Sequence, residues 1–181
     1  TTLGTGTSIT LDKGTIQPNN IVACQLTATD PHSGSTTQSD SVTVDNTLPV
    51  FSSITLSIGD IRSDSLLTCT PTATDPDGGI VNFSYVWTNT TTSASLSAVS
   101  GFPNKIQLTN TSVSPEDTVR CTVTATDAHS GRVTQYQEGT VNNTLPTVNI
   151  PAIVPNSGIT TLSTLTCSST GSDVDGGTPT V

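Results

Sequence analysis

Residues 121–131 read CTVTATDAHSG, and residues 24–34, which lie 97 positions earlier, read CQLTATDPHSG. In the later stretch Cys121, Val123 and Ala125 alternate with Thr, which is the two-residue period of a β-strand with one buried face. The polar end that follows is typical of a turn, because Asp accepts nearby backbone hydrogen bonds and Gly tolerates positive φ. The stretch therefore predicts a strand that leads into a turn, and it occurs twice.

Other segments repeat at nearly the same distance. The matching pairs are VDNTLP at 44–49 with VNNTLP at 141–146, LTC at 67–69 with 165–167, and DPDGG at 75–79 with DVDGG at 173–177. Self-similarity at a fixed period is the mark of a repeat architecture. We therefore predict the C-terminal half of one repeat at 1–48, a complete repeat at 49–145 and the N-terminal part of a further repeat at 146–181, together a window cut from a longer array.

The composition favours strands over helices. Hydrophobic residues make up 31% and aromatic residues 3% of the chain, whereas 38 residues are Thr and 23 are Ser. Thr packs well on a pleated surface because its Cβ is branched. Alternation between residues 49 and 145 predicts seven short strands separated by turns, which indicates an all-β fold.

The charge balance excludes several classes of partner. There are 14 acidic and 5 basic residues, for a net charge of −9. Without a basic patch we expect no binding to nucleic acid, and without a long apolar run we expect no membrane span in this window. The acidity suits divalent cations, or it simply keeps an exposed surface soluble.

The order of Cys69, Trp87 and Cys121 resembles the core of the immunoglobulin superfamily. The Tyr-Val-Trp strand after an Asp-Pro-Asp-Gly loop is also similar to bacterial surface modules of the polycystic-kidney-disease type and the receptor-for-egg-jelly type. The resemblance implies tandem immunoglobulin-like β-sandwiches of about 97 residues, with Trp87 packed on a Cys69–Cys121 disulfide. One departure is Val119, which stands where antibody domains carry a Tyr.

A disulfide of this kind implies an oxidising compartment, so we expect the protein outside the cytosol, extracellular or on the cell surface. The alternative for this pair is two buried free thiols. Cys24 and Cys167 match the second and first cysteine of the pattern and lack partners in their own partial repeats. We expect them to pair outside this window or, alternatively, between subunits.

Four aspartates form a candidate metal site. By the resemblance, Asp75 and Asp77 lie in one loop and Asp127 in another at the same end of the sandwich, where the linker brings Asp45. Carboxylate oxygens are the ligands that Ca²⁺ prefers, so this set predicts a possible calcium site at the joint between repeats. The alternative is that these residues form ordinary turns.

These features predict a structural protein. We expect a building block of a fibre, stalk or adhesin shaft, with other copies or neighbouring repeats as partners and no required cofactor. The alternative is a ligand-binding or glycan-binding accessory module of a secreted or cell-surface protein. We do not expect an enzyme, because the sequence has no nucleophile elbow and no convincing His–Asp pair.

Overall fold

The structure is a computed structural model that describes residues 1–57 and 59–180. Within these residues every regular element is a β-strand and no helix occurs, so the predicted all-β class is confirmed. No helix in this described part has the length and apolar character needed to span a membrane.

The N-terminal segment contains a single hairpin. Strand β1 (Ile21–Thr29) pairs antiparallel with β2 (Ser35–Thr43) along its whole length. The turn is held by the Asp30 carboxylate, which accepts backbone hydrogen bonds from His32 and Gly34 at 2.8 Å each. Most side chains of the hairpin are exposed to solvent.

Seven strands follow between residues 50 and 140 of the described chain. They are β3 (Val50–Leu56), β4 (Leu66–Thr74), β5 (Asn82–Asn89), β6 (Ala94–Leu96), β7 (Lys105–Gln107), β8 (Thr118–Thr126) and β9 (Arg132–Thr140). Their hydrogen bonding gives one sheet in the order β3-β4-β7 and another in the order β6-β5-β8-β9. Their number agrees with the seven short strands that the alternation predicts between residues 49 and 145.

The core follows directly from the alternation in β8. Val119, Cys121 and Val123 are fully buried, whereas the residues between them are half-buried. Cys69 of β4 is also fully buried and forms a disulfide with Cys121, which confirms the predicted bond and links the two sheets. Trp87 of β5 is 2% exposed, and its Nε1 donates to the carbonyl oxygen of Pro103 at 3.1 Å.

Four short strands lie in the described part of the C-terminal segment. They are β10 (Thr147–Val148), β11 (Ala152–Val154), β12 (Thr166–Ser168) and β13 (Gly171–Ser172). Strand β10 pairs antiparallel with β13, and β11 with β12. Nearly all of their side chains are exposed to solvent.

The chain divides into two compact units. The first comprises residues 1–52, 72–83 and 124–134, and the second comprises 53–71, 84–123 and 135–181. Each contains one copy of the segment Asn-Thr-Leu-Pro. We call residues 46–49 the first junction and residues 143–146 the second junction. The repeat boundaries at 48/49 and 145/146 stay a prediction from the sequence.

Candidate functional site

The first Asn-Thr-Leu-Pro junction is held by two aspartates. The side-chain amide of Asn46 donates to Oδ2 of Asp127 at 2.9 Å. The backbone N–H of Thr47 donates to Oδ2 of Asp77 at 2.6 Å. Two adjacent junction residues are therefore bound to the loops that follow β8 and β4. We call this pair of bonds the first clasp.

Asp127 serves its own turn and the junction at once. Its Oδ1 accepts the backbone N–H groups of His129 and Gly131 at 2.8 Å each, and its side chain is almost completely buried. The hydrogen bond from Asn46, followed by those from the two backbone groups, holds the pKa of Asp127 below its usual value. A Cβ atom at residue 131 would overlap the Asp127 carboxylate and the Asn46 amide, so this close packing requires Gly131.

The other two predicted calcium ligands differ in their surroundings. Asp75 is 7% exposed; its Oδ1 accepts the backbone N–H of Asp77 at 3.0 Å, and its Oδ2 has no hydrogen-bond partner. Asp45 is exposed on the junction. The bonds of Asp75 and Asp127 within their own loops are those expected of ordinary turns.

The described residues do not contain a group of three or more His, Cys, Asp and Glu side chains that could hold a metal ion. Asp77 and Asp127 instead accept protein N–H groups across the first clasp. Calcium binding by Asp45, Asp75, Asp77 and Asp127 stays a prediction, and the observed chemistry of these carboxylates is hydrogen bonding.

The second junction, in the other compact unit, contains the equivalent bond. The backbone N–H of Thr144 donates to Oδ2 of Asp175, as that of Thr47 does to Asp77. Asp175 also accepts a hydrogen bond from the hydroxyl of Ser63, which is completely buried. These two bonds, with that from Ser63 the stronger influence, lower the pKa of Asp175.

A polar cluster around Arg62 supports the second junction. Its guanidinium donates to the carbonyl oxygen of Asn143 at 2.8 Å and pairs with Asp60 at 2.9 Å. Asp60 in turn accepts a hydrogen bond from the side-chain amide of Asn142 at 2.8 Å. The Asn142 amide, and after it Arg62, lower the pKa of Asp60. We call the bonds of Thr144 and Ser63 to Asp175, with this cluster, the second clasp.

Sequence reasoning identified Asp77 and Asp127 but not what they bind. It also missed the groups that donate hydrogen bonds at the junctions. These are the side-chain amide of Asn46, the backbone N–H of Thr47 and, at the second junction, the hydroxyl of Ser63. The available signal was that the Asn-Thr-Leu-Pro junction and the Asp-x-Asp-Gly-Gly loop repeat together, which suggests that they interact.

The remaining predicted site residues are cysteines. Cys24 of β1 and Cys167 of β12 are both exposed, and both are free thiols in the described chain. Comparison with protein-family models, with curated proteins and with solved structures found no match.

Proposed function

We propose that this chain is a segment of an extracellular fibre, stalk or adhesin shaft built from tandem immunoglobulin-like β-sandwich repeats. The observation that carries the proposal is the bond common to both clasps, from the Thr47 N–H to Asp77 and from the Thr144 N–H to Asp175. A shaft transmits force only if each repeat is fixed to the next, and the same device at successive junctions serves that purpose.

The composition of the junction supports a stiff joint. Each junction ends in Leu-Pro, and Pro restricts its own φ and the conformation of the residue before it. In the first junction Pro49 is also buried. A tether meant to be floppy would instead be rich in Gly and Ser and would lack hydrogen bonds to its neighbours.

The disulfide supports a location outside the cytosol. Cys69 and Cys121 are both fully buried and bonded over a sequence separation of 52 residues. Such structural disulfides persist in oxidising compartments and stabilise domains with small cores. A load-bearing role suits this crosslink, because an intact disulfide limits how far the domain extends when it is pulled.

The alternative of glycan binding finds less support, because sugar recognition usually needs exposed aromatic faces. Trp87 is buried in the core, and the exposed rings of Tyr136 and Phe102 are each covered by a cation. The Arg120 guanidinium lies 4.2 Å from the Tyr136 ring centroid, and the Lys105 ammonium lies 5.1 Å from that of Phe102.

Immunogold electron microscopy of the source cells, with an antibody raised against residues 49–145, tests the proposed function. We expect gold particles along filaments or stalks at the cell surface. Labelling confined to the cell interior, or to soluble secreted material without filaments, would refute the structural role.

A further inference from the structure

The chain contains four segments of the form Asn-x-Ser/Thr, which is the acceptor sequence for N-linked glycosylation of secreted proteins. Their asparagines are Asn82, Asn89, Asn110 and Asn142. By sequence all four are equivalent, because each has a Ser or Thr two positions later and none has Pro between. The structure separates them by the exposure and the hydrogen bonds of the segment that holds each asparagine.

Two of the four side-chain amides are already bound within the fold. Asn89 is 1% exposed, and its Nδ2 donates to Oδ2 of Asp117 at 2.8 Å. Asn142 is exposed, but its Nδ2 donates to Oδ1 of Asp60 at 2.8 Å as part of the second clasp. A glycan on the Asn89 nitrogen would have to enter the core, and one on Asn142 would crowd the bond to Asp60.

Asn82 is exposed, but the backbone of its acceptor segment belongs to a sheet. Residues 82–84 lie in β5, which is an inner strand of the sheet β6-β5-β8-β9. The middle residue, Phe83, is half-buried and packs with Phe51, their ring centroids 6.2 Å apart. An enzyme that binds the backbone of this segment would have to pull it out of the sheet.

The fourth acceptor segment lies in a surface turn. Asn110 and Thr111 are both exposed, and the backbone N–H of Ser112 donates to the carbonyl oxygen of Thr109 at 2.9 Å, which closes the turn around them. The Ser112 hydroxyl holds the same turn, since it accepts the Thr109 N–H at 3.0 Å and donates to the Thr109 carbonyl oxygen at 2.9 Å. The Asn110 amide takes no part in these bonds, so a sugar on its nitrogen leaves the turn intact.

The exposure of this turn recurs in the preceding repeat. The turn Asp12–Thr15, which lies 97 positions earlier, is closed by the same backbone bond at 2.9 Å. Lys13 matches Asn110 and is likewise exposed, although the predicted complete repeat at 49–145 follows it. The exposure of residue 110 is therefore a property of the turn.

The turn also lies beside the second clasp. A Cβ atom at residue 176 would lie 3.6 Å from both Cβ and Nδ2 of Asn110, so Gly176 keeps that flank of the amide open. The residue before it, Asp175, accepts the Thr144 N–H of the second junction. Deepening the proposed function, on whose extracellular location this inference rests, we propose that Asn110 carries an N-linked glycan at the edge of the second clasp.

The sugar donor is an oligosaccharide carried on a polyprenyl diphosphate. A bond forms between Nδ2 of Asn110 and the anomeric carbon of the first sugar, and the bond from that carbon to the diphosphate oxygen breaks. One amide proton leaves Nδ2 and passes to the released polyprenyl diphosphate. No group is oxidised or reduced, so the step requires no further reactant.

The test uses the native protein isolated from the source cells, digested with trypsin and then with peptide N-glycosidase in heavy-oxygen water. Trypsin cleaves after Lys105 and Arg120, and the peptide 106–120 contains Asn110 and none of the other three asparagines. We expect the untreated peptide to be heavier by the mass of an oligosaccharide, and we expect the glycosidase to convert Asn110 to Asp with the heavy oxygen. Peptide 106–120 at its unmodified mass in the untreated digest, or heavy oxygen at one of the other three asparagines, would overturn the inference.

Matched variants produced in the source cells test the acceptor segment. Asn110→Gln keeps a side-chain amide but should abolish the change in electrophoretic mobility that the glycosidase causes, whereas Asn82→Gln should leave that change as it is. Ser112→Thr keeps the hydroxyl and should retain the change, and its persistence in Asn110→Gln would contradict the inference. Surface filaments labelled by the antibody but with unmodified Asn110 would reject this inference alone. A glycosylated chain that forms no filaments would reject the proposed structural role.

Discussion

The side-chain amide of Asn46 donates to the carboxylate of Asp127 across 2.9 Å, although the two residues lie 81 positions apart in the chain. Asp127 uses its other oxygen to hold the turn after β8, so one buried carboxylate fixes both a loop and a junction. This arrangement makes the junction sensitive to single substitutions and to acid.

Asn46→Ala should raise the pKa of Asp127 toward its ordinary value of 3.8, because the Asn46 hydrogen bond is the largest influence that lowers it. Carboxyl chemical shifts followed by NMR through an acid titration measure this directly. Asn82→Ala, at an exposed position at the start of β5, is the control and should leave Asp127 unchanged. An Asp127 pKa that is the same in Asn46→Ala and in the parent chain would contradict the clasp.

Acid should destabilise the protein through Asp60, Asp127 and Asp175, whose pKa values are all lowered in the folded chain. A carboxyl with a lowered folded pKa contributes stability that is complete above its unfolded pKa and is lost as the pH falls through the folded pKa. We therefore expect the free energy of unfolding to decrease below about pH 4, near the ordinary Asp value. Urea unfolding at a series of pH values checks this, and a double Asp127→Asn, Asp175→Asn variant should show a shallower acid slope. An identical slope in the variant and the parent chain would show that Asp127 and Asp175 do not cause the loss of stability in acid.

Removing the buried disulfide should cost much of the stability of the domain that contains it. Cys69 and Cys121 are separated by 52 residues, and the chain-entropy model assigns such a loop roughly 4 kcal/mol. We expect a Cys69→Ala, Cys121→Ala double variant to lose about that much in urea unfolding. The exposed pair, changed as Cys24→Ser, Cys167→Ser, should stay within about 0.5 kcal/mol of the parent when both are monomeric. Similar losses in both double variants would show that burial of the crosslink is irrelevant.

Asn89→Ala should destabilise the second unit. Asn89 is 1% exposed, donates to Oδ2 of Asp117 at 2.8 Å, and accepts the backbone N–H groups of Thr91 and Thr92. Truncation leaves the largely buried Asp117 without that donor, which costs about 1–3 kcal/mol. Thermal or urea unfolding measures the loss, with the exposed Asn82→Ala as the control. A loss below about 0.5 kcal/mol would mean that water replaces the amide.

The sequence by itself determined the all-β class, the positions of the strands and the buried phase of β8. These properties are local, because alternation every two residues assigns each side chain to one face and Asp with Gly specifies the turns. The disulfide between Cys69 and Cys121 could also be predicted from the sequence, because both cysteines lie on the buried phase of their strands and the order of Cys, Trp and Cys resembles a known core.

Only the tertiary structure decided which atoms the junction aspartates bind. Asn46 with Asp127 and Ser63 with Asp175 are separated by 81 and 112 residues, and periodicity carries no information about distances between such positions. The same holds for Asn89, which β5 turns into the core beside Asp117. The sequence shows which face a side chain lies on, but packing sets which donor comes within 3 Å of which acceptor. For that reason the aspartates suggested calcium in the sequence and hydrogen-bonded clasps in the structure.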